Sequence, residues 1–403
     1  MASPKLRFKE FDGDWCISPL KNLCKINQGL QIAIEERFLE DAENRFFYIT
    51  NEFLRDGAKK SYFIENPPIS VRCKSEDILM TRTGNTGQVV TNVEGAFHNN
   101  FFKIDFDRKQ IDKNFFVEFL RKNTTQHLIL KYAGASTIPD LNHSDFYRIQ
   151  MPITSIDEQT KIASFLSAVD EKISQLTQKH ELLSQYKQGM MQKLFSQQIR
   201  FKADDGSEFG EWEKLTLSQI SKHIGGTALE SYVSECGDYN FISIGNYSTN
   251  GKYIDNSQRI ILNEKTGTKL LDKDDLVMVL NDKTATGDLI GSTILINEDN
   301  KYIYNQRSER IICNKSKVLS VYLWHFLNSE MMRSEVRKLA QGGTQIYINF
   351  SSVLSIIFLL PCLAEQNKIA NFLSSIDQKI EVVAQQIEHA KQWKKGLLQQ
   401  MFV

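Results

Sequence analysis

Proline and cysteine are scarce in this chain, and no long apolar run interrupts it. Of its 403 residues, 7 are proline and 6 are cysteine. The cysteines (Cys16, Cys24, Cys73, Cys236, Cys313 and Cys362) form no CxxC pair, and no histidine stands at zinc spacing from them. That excludes a zinc ribbon or a disulfide-stapled miniprotein, and it predicts a reduced, cytoplasmic protein without a structural metal. No stretch reaches the roughly 18 apolar residues that span a bilayer, and the polar N-terminus has no signal-peptide core. No membrane role is expected.

A surplus of either charge is also missing. Lys plus Arg and Asp plus Glu both number 49, and the charge is spread evenly along the chain. A protein that grips phosphates by composition carries a basic excess. Nucleic acid bound here must therefore be held by local clusters or together with a basic partner. Enzyme signatures are absent as well: no GxxxxGK[ST] loop, GxSxG elbow, HExxH helix or glycine-rich dinucleotide fingerprint. Asn66-Pro-Pro68 is followed by Ile69, so the Asn/Asp-Pro-Pro-aromatic tetrapeptide of amino-methyltransferases is not there either. The pairs Asp204-Asp205 and Asp274-Asp275 fall in hydrophilic turns and read as surface charge. The chain is expected to be non-catalytic.

What the chain does have is one sentence written twice. Residues Glu158–Ile173 return as Glu365–Ile380, identical at 11 of 16 positions with a constant offset of 207. A period this long implies a duplicated domain, and 41% hydrophobic with 24% charged residues leaves room for two ordinary cores. Ile162, Leu166, Val169, Ile173, Leu176, His180, Leu183, Lys187, Met190 and Leu194 alternate at spacings of four and three. Ile369, Leu373, Ile376, Ile380, Val383, Ile387, Ala390, Lys394, Leu397 and Met401 repeat that frame. A stripe held this long predicts coiled-coil helices; the alternative is a pair of amphipathic helices, each lying on its own domain. Pro152 and Pro361 precede the two starts, and Ser155 with Glu158 forms a candidate capping box that Cys362 breaks in the second copy. The second helix leaves the end of the second domain, so packing along the first requires it to run back, antiparallel. About 38 residues make a rod of roughly 57 Å. The polar Lys187 and Lys394 at equivalent seam positions either fix register or snorkel at frayed ends beside Gly189 and Gly396.

The expected organisation is a globular domain at 1–151, a helix at 152–200, a second domain at 201–360 and a second helix at 361–403. The domain openings match: Arg7-Phe-Lys leads to Trp15, and Arg200-Phe-Lys leads to Trp212. Each then has a short apolar stretch ended by Gly29 or Gly225 and a strand-like run at Asp77–Met80 or Asp275–Met278. Each also has a helical stretch, Phe115–Tyr132 or Val321–Leu339. The fold class predicted is α+β: two globular domains held apart by two long antiparallel coiled-coil helices, with pseudo-two-fold symmetry.

Three loops per half collect side chains that hydrogen-bond base edges. The first copy offers Thr81, Arg82, Thr83, Asn85, Thr86 and Gln88, then Asn99 and Asn100, with Ser136 and Thr137 as weaker candidates. The second offers Lys283, Thr284 and Thr286, then Asn305, Gln306 and Arg307, with Thr344, Gln345 and Tyr347 as weaker candidates. These same residue types build ordinary β-turns. Position favours the binding reading, because the loops recur at corresponding places in both halves.

The Glu-Gln-x-Lys-Ile-Ala-x-Phe-Leu-Ser segments at 158–167 and 365–374, the Pro at each domain exit and the Trp15 and Trp212 openings resemble the specificity subunit of type I restriction-modification systems. The resemblance spans the whole chain. It implies two target-recognition domains, each reading one half of a gapped site in double-stranded DNA. It implies helices that set the spacing and dock two modification (methyltransferase) subunits carrying S-adenosylmethionine, which methylate adenine N6. Two restriction/translocase subunits, using ATP and Mg, are the further partners implied. Readers entering the major groove from one face stand about 34–36 Å apart, which a rod of roughly 57 Å can provide. The rival from another class is a coiled-coil adaptor joining two protein-binding domains; a fused enzyme with an unrecognised site is a third.

Overall fold

The computed structural model describes residues 3–55, 57, 60–134, 137–283, 286–343 and 345–402. The chain divides into two units, Met1–Thr177 with Gln385–Val403, and Gln178–Ala384. Two helices dominate: Ile156–Phe195 of 40 residues and Leu363–Met401 of 39. Each is shared, giving its N-terminal part to one unit and its C-terminal part to the other. Gly189 and Gly396 do not end them.

In the first unit an antiparallel sheet runs in the order Cys24–Gln28, Phe101–Phe106, Ile78–Thr81, Val89–Val90. A second sheet orders Phe63–Glu65, Arg45–Ile49, Gly95–Phe97 and Arg72–Cys73, with its middle pair parallel. The second unit repeats the plan. Ser221–Gly225, Ser308–Cys313, Leu276–Val279 and Thr293–Leu295 form its antiparallel sheet. Arg259–Ile260, Tyr239–Ile242 and Tyr302–Tyr304 form the other, again with one parallel pair.

The central strands are apolar without alternation because both faces are covered. Ile78 and Met80 point into one core with Phe102, Phe115 and Leu166, whereas Leu79 joins Ile49, Phe97 and Phe101 in another. Leu276 and Met278 likewise face Tyr322, Phe326 and Leu373, while Val277 and Val279 face Ile242 and Tyr304. Each domain is closed by pairing its entry strand with its exit strand: Cys16–Pro19 with Gln150–Ile153, and Glu213–Thr216 with Ile357–Leu360.

Three expectations need correction. The stretches Phe115–Tyr132 and Val321–Leu339 are each two helices, Lys113–Arg121 with Asn123–Ala133 and Ser320–Leu327 with Glu330–Lys338. Lys122 breaks the first by taking ψ 133. Ser329 starts the new helix in the second by accepting the Met332 N–H. Neither break carries Gly or Pro. Asp275 is not surface charge: it is 4% exposed, 2.6 Å from the Arg310 guanidinium, and accepts the Asp272 N–H. Burial pushes its carboxyl upward. Finally, Gly226 rather than Gly225 is the counterpart of Gly29.

That last pair supports a prediction. A β-carbon on Gly29 would collide with the carbonyl oxygens of Phe97 and His98, and one on Gly226 with that of Asn305. Leu30–His98 and Thr227–Asn305 are parallel bridges next door, so the backbone cannot step aside. Gly29→Ala and Gly226→Ala should each cost about 1–3 kcal/mol. The control Gly210→Ala, with open space around it, should stay within about 0.5 kcal/mol. Urea midpoints at constant slope would decide; equal midpoints for all three variants would refute the close approach.

Candidate nucleic-acid interface

The three candidate loops of each half converge on one end of their own domain. In the first unit the Arg82 N–H donates to Asn100 O at 2.7 Å and the Leu141 N–H to Arg82 O at 2.9 Å, lacing residues 81–88 to both other loops. Thr83 also bridges to Asp140. In the second, the Leu280 N–H donates to Arg307 O and the Ile348 N–H to Leu280 O, both at 2.9 Å. There Asn281–Asp282 pairs with Ile346–Tyr347 as a short ribbon.

The side chains divide into braces and presenters. Thr81 is fully buried; its hydroxyl donates to Asn85 O and accepts the Gln88 N–H. Buried Thr86 donates to Arg82 O and Pro139 O. Gly84 and Gly87, at φ 88 and 91, supply the left-handed backbone that lets the loop fold over these hydroxyls. Asn305, 4% exposed, donates to the Glu230 carboxylate at 2.9 Å. Thr81, Thr86 and Asn305 therefore turn inward and hold the loops rather than reach a base, a correction to their place among the candidate contacts.

Asn85, Gln88, Lys283, Thr286, Gln306, Gln345 and Tyr347 are exposed, and Thr83, Asn99, Asn100 and Arg307 are half-buried. Thr284, Thr344 and Ser136 lie outside the described residues. The Asn99 amide donates to Gln31 at 3.0 Å. Arg82 is gripped at two points by Asp140, at 3.0 and 2.7 Å, and the Thr83 hydroxyl bonds the same carboxylate. Burial pushes the Asp140 carboxyl up, but the bonds from Thr83 and Arg82 outweigh it and hold it below its ordinary value. Among the described residues no group of three or more His, Cys, Asp or Glu could hold a metal, and no helix is long and apolar enough to cross a membrane.

The seam candidates are largely core. Ile162, Leu166, Val169, Leu176, Ile369, Leu373, Ile376, Ile380 and Val383 are buried, and Ile173 is half-buried. Ile162, Leu166 and Val169 pack with Phe115 and Phe119 of the first domain, with Leu397 and Met401 of the second helix and with Phe402 just beyond it. Ile369, Leu373 and Ile376 pack with Tyr322 and Phe326 and with Met191, Leu194 and Phe195. The stripe thus serves both the domain and the other helix.

The repeated Glu-Gln pair is the anchor that residue patterns did not reveal. Glu158 accepts two bonds from Arg7 at 2.7 and 2.8 Å, one from Trp15 Nε1 at 3.4 Å, and one from Thr154. Glu365 accepts the matching arginine and indole bonds from Arg200, at 3.0 and 2.8 Å, and Trp212, at 2.9 Å, with Pro361 in the place of Thr154. Gln159 accepts the Asp112 N–H and donates to Gln110 O and Thr154 O. Gln366 repeats this with Leu319, Lys317 and Pro361. Ser155 accepts the Glu158 N–H, but the Glu158 carboxylate is spent on Arg7, so the capping box is only half formed. The signal was present: Arg, Trp and Glu recur together in both halves.

Comparison with known proteins agrees with this duplicated plan. The type I restriction modification DNA specificity domain matches residues 12–185 and again 210–392. The MjaVIII type I restriction enzyme specificity subunit of Methanocaldococcus jannaschii is 28% identical over 97% of this chain and 94% of its own length. The StySPI specificity subunit of Salmonella potsdam is 22% identical over 80% of this chain and 72% of its own. Among solved structures, the S subunit of a type I restriction-modification system from M. genitalium superposes with a TM-score of 0.60 at 17% identity, covering 100% of this chain and 99% of that one.

Proposed function

Since the chain belongs to the type I restriction-modification DNA specificity family, we propose that each of its two target-recognition domains reads one half of a bipartite, gapped site in double-stranded DNA. The exposed and half-buried members of the converging loops carry the readout: Arg82, Thr83, Asn85, Gln88, Asn99 and Asn100 in one domain, and Lys283, Thr286, Gln306, Arg307, Gln345 and Tyr347 in the other. The two long helices pair antiparallel, set the spacing and dock two modification subunits. Those partners supply S-adenosylmethionine chemistry at adenine, and two restriction subunits supply ATP- and Mg-dependent translocation. This chain contributes no catalytic group and works in the cytoplasm.

One observation favours this reading most. The same three loops meet at the same place in both domains, while their side chains differ. A shared frame with unlike tips is what two readers of unlike half-sites require. With as many acidic as basic residues, much of the phosphate contact falls to the partners.

The test is methylome sequencing of cells expressing this chain with its modification subunit. One gapped, adenine-methylated motif is expected, and exchange of residues 1–151 for another family member's domain should change one half and keep the other. A change in both halves overturns the modular reading. A complex that persists in high salt without any DNA dependence would instead favour the adaptor.

A further inference from the structure

The first domain contains a cavity of about 260 Å³ walled by the rings of Phe47, Tyr48, Phe53 and Tyr62, with Thr50, Lys60 and Ser61 supplying polar atoms. Two of its walls are tied into the domain. The Tyr48 hydroxyl donates to Leu30 O at 2.8 Å and accepts the Ile32 N–H at 3.2 Å, which holds its buried ring at the floor of the cavity. The Arg37 guanidinium lies over the Tyr48 and Tyr62 rings at 5.2 and 5.6 Å. Phe53 stands edge-on to Phe47 at 5.3 Å and is 41% exposed, a large apolar ring kept at the surface.

The cavity adjoins the reading loop. Asn51, next in chain to the lining Thr50, donates its amide to Thr83 O at 2.9 Å. Its Oδ1, shielded from solvent, has no hydrogen-bond partner among the described residues. Two of these walls differ in the second domain. His98 donates its N–H to Ile49 O as Asn305 does to Ile242 O, which aligns Phe47 with Asn240 and Phe53 with Asn246. Asn246 is committed to Ser243 and Ile254. Phe47 and Phe53 therefore belong to one reader and not to the shared frame.

An aromatic slot with a polar rim and a lysine, placed beside a DNA-reading loop, has the chemistry of a site for a flat heterocycle on a phosphate chain. We propose that it receives one nucleobase swung out of the duplex in or beside the first domain's half-site. The base stacks on Phe53, with Thr50 and Ser61 at its edge and Lys60 toward the backbone. Unstacking has a cost, and stacking on the rings offsets it only when the duplex lies on the adjacent loop. The inference rests on the DNA-reading function proposed above.

The experiment uses the full chain with its modification subunit and duplexes carrying 2-aminopurine at successive positions of the methylated motif and its flanks. One position on the first domain's side should change fluorescence on binding, and Phe53→Ala should alter that signal. Phe53→Ala should also weaken specific binding by about 5- to 150-fold, the usual range for one stacked base. Lys60→Ala should lower the salt slope by about one. Unchanged affinity and an unchanged signal in Phe53→Ala overturn the pocket, as does a response confined to the second half-site. Failure of the reading function looks different: the wild-type complex then methylates no gapped motif.

Discussion

Glu158→Ala and Glu365→Ala should each destabilise the unit that contains them by about 3 kcal/mol, and neither loss should be recovered by glutamine. The range for breaking a buried ion pair is about 3–5 kcal/mol. Arg7 and Arg200 keep 17% and 20% of their side chains exposed, which places the effect at the low end. Each glutamate is 1% exposed at its side chain and gathers an arginine fork and an indole N–H. Alanine leaves those donors facing a void, and glutamine lacks the charge for the fork. The pH dependence has a definite sign. Burial raises the Glu158 carboxyl, but hydrogen bonds from Arg7 and Thr154 hold it below the ordinary glutamate value. Its contribution is therefore complete above the unfolded value of about 4.3 and is lost as pH falls through that value toward the folded one. Urea titrations at pH 7 and at about pH 4 should show the Glu158→Gln penalty shrinking in acid. A Glu158→Ala variant within about 0.5 kcal/mol of the parent would show that the clamp carries no weight.

That clamp marks where the sequence was legible and where it stopped being so. The repeat at an offset of 207 announced two units and two long helices, because local periodicity is enough to encode a helix. The partners of Glu158 lie 143 and 151 residues away, a separation that no pattern rule spans. Loop chemistry was ambiguous for a different reason. Thr81, Thr86 and Asn305 belong to the residue types that read bases, but the same hydroxyls and amides brace turns. Only burial separates the two uses. The breaks at Lys122 and Ser329 carry no Gly or Pro, and Asp275 looks solvated until Arg310 is seen beside it. The aromatic slot is assembled from Phe47, Tyr48, Phe53 and Tyr62 without any motif at all.

The second large effect concerns register. Lys187→Asp should cost about 3–5 kcal/mol, and adding Asp377→Lys should recover at least half of that. The Lys187 ammonium sits 2.7 Å from both oxygens of Asp377, at side-chain exposures of 14% and 18%, and lies 5.4 Å over the Trp324 ring. In the first unit Lys394 meets Asp170 at 2.7 Å and Glu118 at 3.0 Å. Lys394 and Asp377 each stand 207 residues after Lys187 and Asp170, so one pair has been written twice. The helices run on to Phe195 and Met401, which removes the frayed-end reading of these lysines. His325 does not compete for Asp377. Burial and the Lys187 charge hold its pKa well below the ordinary value, so it stays neutral. A neighbouring aspartate that is displaced by one residue along the helix would leave the buried ammonium without its partner, which penalises slipped pairings more than it stabilises the native one. The decisive measurement is a double-mutant cycle on unfolding, run beside the spacing of the methylated motif. A coupling of about 1.5 kcal/mol or more, with the spacer altered or methylation lost in Lys187→Asp and restored in the swap, is the result a register key requires. Additive losses with an unchanged spacer would reduce the pair to ordinary packing, because a key must penalise the wrong alignment as well as occupy the right one.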